Sequence, residues 1–342
     1  MTAAESVRIA MFSTKSYEKP RFAALVPDNM SVTYQEARLT TKTTSLAVGH
    51  DVVCCFTHDQ VDAQAIASLA DAGIRLIALR SAGFNNVDLR AAENHGIPVV
   101  RVPAYSPFAV AEHAMALVLC LNRKIHKAHN RVRELNFSLE GLEGFDLHGK
   151  TFGIVGTGEI GEKMARIAHG FGCRVIAYSK EKSQELMKEG WVEYVDFDRV
   201  LRESDVLSLH VPLTPETDHL LDAQAFERIK PGAMLINTGR GALIDASALV
   251  TALKKGQIGS AGLDVYEEEE GVFFEDLSDK VLQDDVLARL LTFNNVLITS
   301  HQAFLTREAL DNIASTTVDN IRAFFESGET RNAVTSDANM KQ

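Results

Sequence analysis

Apolar and polar positions fall into two rhythms along the first hundred residues. Short runs rich in β-branched residues, at 7–12, 52–57, 76–79 and 99–102, have the length and composition of buried strands. Between them, 62–72 and 87–94 carry apolar residues at helical spacing. Strands alternating with helices imply parallel pairing, with helices packed on the sheet faces. The alternation restarts at Thr151, with strand-like runs at 152–155, 174–177, 206–209, 233–236, 259–263 and 296–299.

Other segments break the rhythm. Residues 107–135 read as one long helix, apolar at first and then basic (Arg123, Lys124, Lys127, Arg131, Arg133). Such a run spans about 40 Å and could link two lobes or lie in a subunit interface. Polar, Gly-containing 140–150 reads as a loop into a second domain. The last run, 305–325, reads as a helix that packs back on the first lobe. With 342 residues the chain suits two domains. The expected division is a discontinuous first domain, 1–103 plus 302–342, and a second, 104–301. The fold class is therefore α/β: two doubly wound parallel-sheet domains, Rossmann- or flavodoxin-like, with an active-site cleft between them.

Composition narrows the function. Lys plus Arg number 35 and Asp plus Glu 46, a formal charge of −11 that repels phosphate backbones and argues against nucleic acid as a partner. Cys54, Cys55, Cys120 and Cys173 sit in apolar runs without the spacing of a zinc site or disulfide framework, so reduced thiols and no metal are expected. No basic stretch followed by a long apolar one marks the N-terminus. The greasiest segment, 108–121, is interrupted by Glu112 and His113 and is shorter than a membrane helix. A soluble, cytoplasmic protein with no membrane partner is the expectation.

The sharpest motif is G-x-G-x-x-G at Gly156-Thr157-Gly158-Glu159-Ile160-Gly161, between a strand-like and a helical run. Its first glycine permits a tight turn, its second lets a pyrophosphate approach the backbone, and its third lets helix and strand lie close. Free N–H groups at the helix start then face the phosphates. A dinucleotide site is implied. An acid normally follows the next strand and holds the adenosine ribose; here Ser179 stands there, followed by Lys180 and Lys182. A carboxylate would repel a 2′-phosphate, whereas a hydroxyl with flanking cations would accept one, so the cofactor expectation leans to NADP(H), with NAD(H) possible.

Three polar segments follow strand-like runs: 237–245 with Arg240, 262–269 with Asp264 and the glutamates 267–270, and 300–306 with His301. In open α/β sheets ligands collect beyond the carboxyl ends of strands. With Leu79-Arg-Ser-Ala-Gly-Phe-Asn-Asn-Val-Asp88, Val102-Pro-Ala-Tyr105, the glycine loop, Ser204-Asp-Val-Leu-Ser-Leu-His210-Val-Pro212, Phe273-Phe-Glu-Asp276 and His301-Gln-Ala-Phe-Leu-Thr306, these segments make nearly the whole chain resemble the D-isomer-specific 2-hydroxyacid dehydrogenases, in particular their D-lactate dehydrogenase branch. Ser179 is the clear departure and puts NAD specificity in question.

The resemblance implies that 1–103 plus 302–342 hold substrate and 104–301 bind the dinucleotide. Arg240, a planar fork of donors, would hold the substrate carboxylate. His301, whose ordinary pKa lies near 6.5, would exchange the proton. The four glutamates compete as partner for that imidazole; family spacing from Asp264 selects Glu269. Backbone N–H groups at Ala82 and Gly83, with Tyr105 and Phe304, would contact substrate. Besides the glycine loop, Ser179, Lys180, His210, Val211, Pro212, Thr238, Gly239, Arg240, Asp264 and His301 would meet the cofactor.

The implied reaction is reduction of pyruvate, or a related 2-oxo acid, to the D-2-hydroxy acid by hydride from NAD(P)H. Bulkier acids such as phenylpyruvate are the alternative within that chemistry. A non-catalytic, dinucleotide-sensing corepressor on the same fold is the alternative from another class, and loss of the Arg, Glu or His would have favoured it. The partner is a small 2-oxo or 2-hydroxy acid. A homodimer through 107–135 is the family expectation, with a homotetramer open.

Overall fold

The computed structural model describes residues 6–269 and 271–336. The chain divides into two compact units, one built up to Ser106 and again from Leu305, the other spanning Pro107–Phe304. Each crossing lies three residues beyond the position read from sequence (106 against 103, 304 against 301). The first crossing coincides with Pro107, the first residue of a helix, where a missing N–H costs nothing.

In the first unit the strands are β1 (Val7–Met11), β2 (Met30–Tyr34), β3 (Val52–Cys55), β4 (Leu76–Leu79) and β5 (Val99–Val100). They lie in the order β2-β1-β3-β4-β5, all parallel. Alternate residues of β3 and β4 serve opposite faces. Val53, Cys55, Ile77 and Leu79 pack with Ile66, Leu69 and Leu89. Val52, Cys54, Leu76 and Ala78 pack with Phe22, Ala314, Val318 and Ile321. The last three belong to helix Arg307–Ser327, capped by the Thr306 hydroxyl, which brings the C-terminal segment back onto this sheet. Coverage on both faces explains why these strands read as unbroken apolar runs.

The second unit carries β6 (Thr151–Val155), β7 (Arg174–Tyr178), β8 (Val192–Tyr194), β9 (Val206–Leu209), β10 (Ala233–Asn237), β11 (Ile258–Leu263) and β12 (Val296–Ile298). Their order is β8-β7-β6-β9-β10-β11-β12, all parallel. The chain runs outward from β6 and then returns to its other side at β9, so strand order reverses between them. That reversal opens a crevice at the carboxyl ends of the strands. One face is covered by Ala111, Ala114, Leu117 and Val118 of helix Pro107–Arg123 and Met164, Ala165 and Ala168 of helix Glu159–Gly170. A Cβ on Gly262 would lie 3.1 Å from Leu117 Cβ, so a bare position in β11 lets the first of these helices sit close.

The expected helix over 107–135 is two helices, Pro107–Arg123 and Ile125–Arg133, broken at Lys124 in the left-handed region (φ 52°). No Gly or Pro announces the break. The Lys124 ammonium donates to the Glu143 carbonyl, and beyond it Leu135, Phe137 and Leu139 stand in solvent. Strand β13 (Ala333–Val334) pairs antiparallel with β5 at the edge of the first sheet.

Candidate active site

The glycine loop closes the end of β6 beside the strand-order reversal. Gly156 has φ 93°, and a Cβ there would lie 2.6 Å from the His210 carbonyl oxygen. A Cβ on Gly161 would lie 1.9 Å from the Gly156 carbonyl oxygen. Both contacts are with backbone, so only glycine fits. Gly158 has φ −69° and open space at its Cβ position, where a ligand can approach the N-terminus of helix Glu159–Gly170. The first-turn N–H groups, at Glu159, Ile160 and Gly161, have no intrahelical partner by geometry. Thr157 is buried and its hydroxyl joins Tyr194 and the Glu181 carbonyl.

His210-Val211-Pro212 faces this loop through backbone: His210 N–H donates to the Val155 carbonyl. The imidazole turns inward to Ser208 (2.9 Å), and burial pushes its pKa down to about 4, leaving it neutral near pH 7. At the end of β7, the Ser179 hydroxyl accepts from the Thr157 N–H and donates to the Glu181 carbonyl. The Lys182 ammonium lies over the Tyr194 ring, 5.4 Å from its centroid.

Three neighbouring strands, β10, β11 and β12, end side by side and release the three polar loops. After β10, the Asn237 side chain accepts from the Gly239 N–H and donates to the Arg240 carbonyl, which shapes the turn. The Arg240 guanidinium is half-buried and donates to the Gly239 carbonyl. Gly241 lets this loop lie on the next, since a Cβ there would meet the Tyr266 carbonyl oxygen at 1.9 Å. The Thr238 hydroxyl is sealed from solvent with no hydrogen-bond partner among the described residues. A buried orphan costs free energy unless a ligand satisfies it. With the cradle at Gly158, it fits a dinucleotide lying along these strand ends.

The glutamate run resolves into distinct jobs. Glu269 Oε2 lies 2.8 Å from His301 Nδ1, while Oε1 accepts the Tyr266 N–H at 3.0 Å. Glu267 pairs instead with His219, whose pKa it raises, and with the Ala246 N–H. Glu270 lies outside the described residues. A carboxylate on Nδ1 fixes the imidazole's orientation and leaves Nε2 as the nitrogen for chemistry. His301 sits at φ 47°, an uncommon conformation for a non-glycine residue. Its backbone is held from β11: His301 N–H donates to the Asp264 carbonyl at 2.7 Å. The fully buried Asp264 carboxylate accepts from Gln302 N–H and Ala303 N–H at 2.9 and 2.8 Å, and from Thr299 Oγ1 at 2.6 Å. That carboxylate ties the His301 loop to the end of β11.

Within the first unit, Ala82 and Gly83 follow β4 on a short turn. Arg101 donates to the Ala82 carbonyl at 2.6 Å and Ser81 to the Gly83 carbonyl at 2.8 Å, tying the carbonyls back. The Tyr105 carbonyl accepts from Asn312. Phe304 is buried as the last residue of the second unit. In the sequence His113 stands out only as a polar interruption, and nothing singles out Thr299 or Ser208. Their roles come from contacts across strands, which no local spacing encodes. Among the described residues no helix is long and apolar enough to cross a membrane, and no group of three or more His, Cys, Asp or Glu could hold a metal.

Known proteins similar to this chain share its fold and much of its sequence. Residues 115–303 match the model of the D-isomer specific 2-hydroxyacid dehydrogenase, NAD binding domain. D-lactate dehydrogenase of Escherichia coli K12 is 50% identical over 326 residues, covering 95% of this chain and 98% of that protein. The solved pyruvate reductase of Chlamydomonas reinhardtii superposes with TM-score 0.91 at 44% identity, covering 96% of this chain and 99% of that one. The D-lactate dehydrogenase of Lactobacillus jensenii, solved with NAD+, gives TM-score 0.79 at 31% identity over 96% of this chain and all of that one.

Proposed function

Because this chain belongs to the D-isomer-specific 2-hydroxyacid dehydrogenase family, we propose that it reduces pyruvate to D-lactate with NADH, Arg240 holding the carboxylate and His301 giving the proton. The observation that carries this reading is the 2.8 Å pairing of His301 Nδ1 with Glu269, whose loop after β11 lies between those of Arg240 and His301 in strand order.

When bound, the reduced nicotinamide supplies the hydride. Arg240 presents parallel N–H donors to a carboxylate and places one beside the carbonyl oxygen, where negative charge grows; such a donor is worth about 3 kcal/mol in the transition state. His301 donates its Nε2 proton to that oxygen. Glu269 holds the ring in one orientation through Nδ1, which leaves Nε2 for the transfer. Ala82, Gly83, Tyr105 and Phe304 keep substrate-contacting roles in this reading. The glycine loop, Val211, Pro212, Thr238 and Gly239 keep cofactor roles, with residues up to Ser106 and from Leu305 serving substrate and 107–304 the dinucleotide.

Pyruvate is favoured over bulkier acids because the D-lactate dehydrogenase of Escherichia coli and the pyruvate reductase of Chlamydomonas reinhardtii are 50% and 44% identical to this chain, whereas a D-2-hydroxyisocaproate dehydrogenase is 30% identical. For the cofactor, the lean towards NADP(H) gives way to NAD(H). The Ser179 hydroxyl is already engaged at Thr157 and Glu181, and Lys182 is drawn over Tyr194, so the cationic pocket imagined for a 2′-phosphate shrinks to Lys180. The family domain is described as NAD-binding. Exposed Ile125, Val132, Leu135, Phe137 and Leu139 support a homodimer through this region; a monomer by light scattering would refute it. Unbridged cysteines suit the cytoplasm, which cell fractionation would test.

The deciding experiment is a panel of 2-oxo acids with NADH and with NADPH. The reading expects the highest kcat/KM with pyruvate and NADH. No oxidation of either cofactor with any acid would favour a dinucleotide sensor, and a preference for phenylpyruvate would move the assignment to bulkier substrates.

A further inference from the structure

Helix Pro107–Arg123 buries an almost purely apolar face, and beside it the part-buried His113 reaches the end of β12 and Asp264. Its Nε2 lies 3.0 Å from Thr299 Oγ1 and 3.4 Å from Asp264 Oδ1, and its side chain is 18% exposed. The Thr299 hydroxyl is at the same time 2.6 Å from Asp264 Oδ1. A carboxylate accepts only, so the Thr299 proton points to Asp264 and its lone pair is left for His113 Nε2–H. His113 is thereby the donor, its Nε2–H facing Thr299 Oγ1 and, farther off, Asp264 Oδ1; Thr299 donates to Asp264, which also receives the Gln302 and Ala303 N–H groups.

This chain of hydrogen bonds ends on the loop that carries His301 at φ 47°. A non-glycine residue stays in that region only when its surroundings over-determine it. Asp264 supplies the hold through its carbonyl and carboxylate. Thr299 and His113 in turn fix the Asp264 carboxylate, and hydrogen bonds in such a chain polarise one another.

We propose that His113 is a positioning residue for His301, acting through Thr299 and Asp264 rather than touching substrate. The inference rests on the reading of His301 as proton donor. It requires that a donor at the Nε2 position, and not the ring or its bulk, carries the effect.

The test compares His113→Leu with His113→Gln, whose amide nitrogen can occupy the Nε2 position. Leu should lower kcat with pyruvate about tenfold, in line with the cost of a sub-ångström to ångström misplacement of a reacting group. KM for pyruvate and Kd for NADH should change less than twofold, and Gln should restore kcat to within about threefold of wild type. Amide hydrogen exchange of 300–304 should be faster in Leu and near wild type in Gln. Unchanged kcat and exchange in Leu would overturn the proposal, as would a Gln variant as impaired as Leu. If wild type reduces no 2-oxo acid, the functional reading fails. Exchange still decides the His113 hold: loosening in Leu with rescue in Gln upholds it, and any other pattern overturns it.

Discussion

Two alanine substitutions three residues apart in the glycine loop should have different consequences, and the structure gives the size of each. At Gly158 the backbone (φ −69°, ψ −168°) is open to any residue and nothing lies within 4 Å of an added Cβ. Loss of chain entropy in the unfolded state favours alanine by about 0.4–1 kcal/mol, and its poorer fit at a helix N-cap offsets a similar amount. Stability should therefore stay within about 1 kcal/mol, a shift of Tm below about 4 °C for a chain of this size. The methyl nevertheless fills the approach to the helix N-terminus. Losing one charge-assisted hydrogen bond to a phosphate costs about 1.5–3 kcal/mol, so Kd for NADH should rise at least tenfold.

At Gly161 the added Cβ would lie 1.9 Å from the Gly156 carbonyl oxygen, about 1.5 Å inside ordinary contact. Both partners are backbone, so helix Glu159–Gly170 must lift. Overpacking of this kind costs about 1–3 kcal/mol or more, and the displaced helix start weakens NADH binding as well. Thermal unfolding and NADH fluorescence titration on both variants separate the cases. NADH binding by Gly158→Ala equal to wild type would refute the placement of phosphates at this helix, and an unaltered Tm in Gly161→Ala would refute the packing argument.

Replacing Glu269 by Gln keeps a hydrogen-bonding group near His301 but removes the charge. A charge-assisted bond exceeds a neutral one by about 1.4 kcal/mol, so kcat/KM with pyruvate should fall about tenfold or more; equal steady-state rates would remove Glu269 from the mechanism. His210 makes an acid-sensitive contribution. Its folded pKa, about 4, lies below the ordinary 6.5, so between those values the unfolded chain takes up a proton that the folded one refuses. Stability is then full above pH 6.5 and declines as pH falls towards 4. From pH 6.5 to 5 the loss is 1.5 units at about 1.4 kcal/mol each, roughly 2 kcal/mol. Urea unfolding of wild type and His210→Gln at pH 7 and 5 checks it, since the variant should lose less; an identical decline in both would contradict the burial argument.

Much of the fold is legible in the chain because central parallel strands are covered twice. Val52–Cys55 and Leu76–Leu79 read as strands because every residue must be apolar. Edge strands carry no such demand: β2 and β8, half-exposed, offer no run to notice. The break at Lys124 is a lysine in a glycine-like conformation, stabilised by a carbonyl nineteen residues away. At the site, the glycines are legible because backbone contact tolerates nothing else. Glu269 could be chosen among its neighbours only through family spacing, while in the structure Glu267 turns to His219 and Glu269 to His301. Ser179 is half-legible for a related reason: a missing acid shows in sequence, but not that its hydroxyl and Lys182 are engaged elsewhere.

Steady-state reduction of pyruvate by Arg240→Gln, set beside its equilibrium binding of NADH, tests the central claim most directly. Loss of the guanidinium should raise KM for pyruvate and lower kcat/KM by about a hundredfold or more, about 3 kcal/mol, with NADH affinity within about twofold of wild type. Wild-type turnover in the variant, or an equal loss of pyruvate and NADH binding, would contradict it.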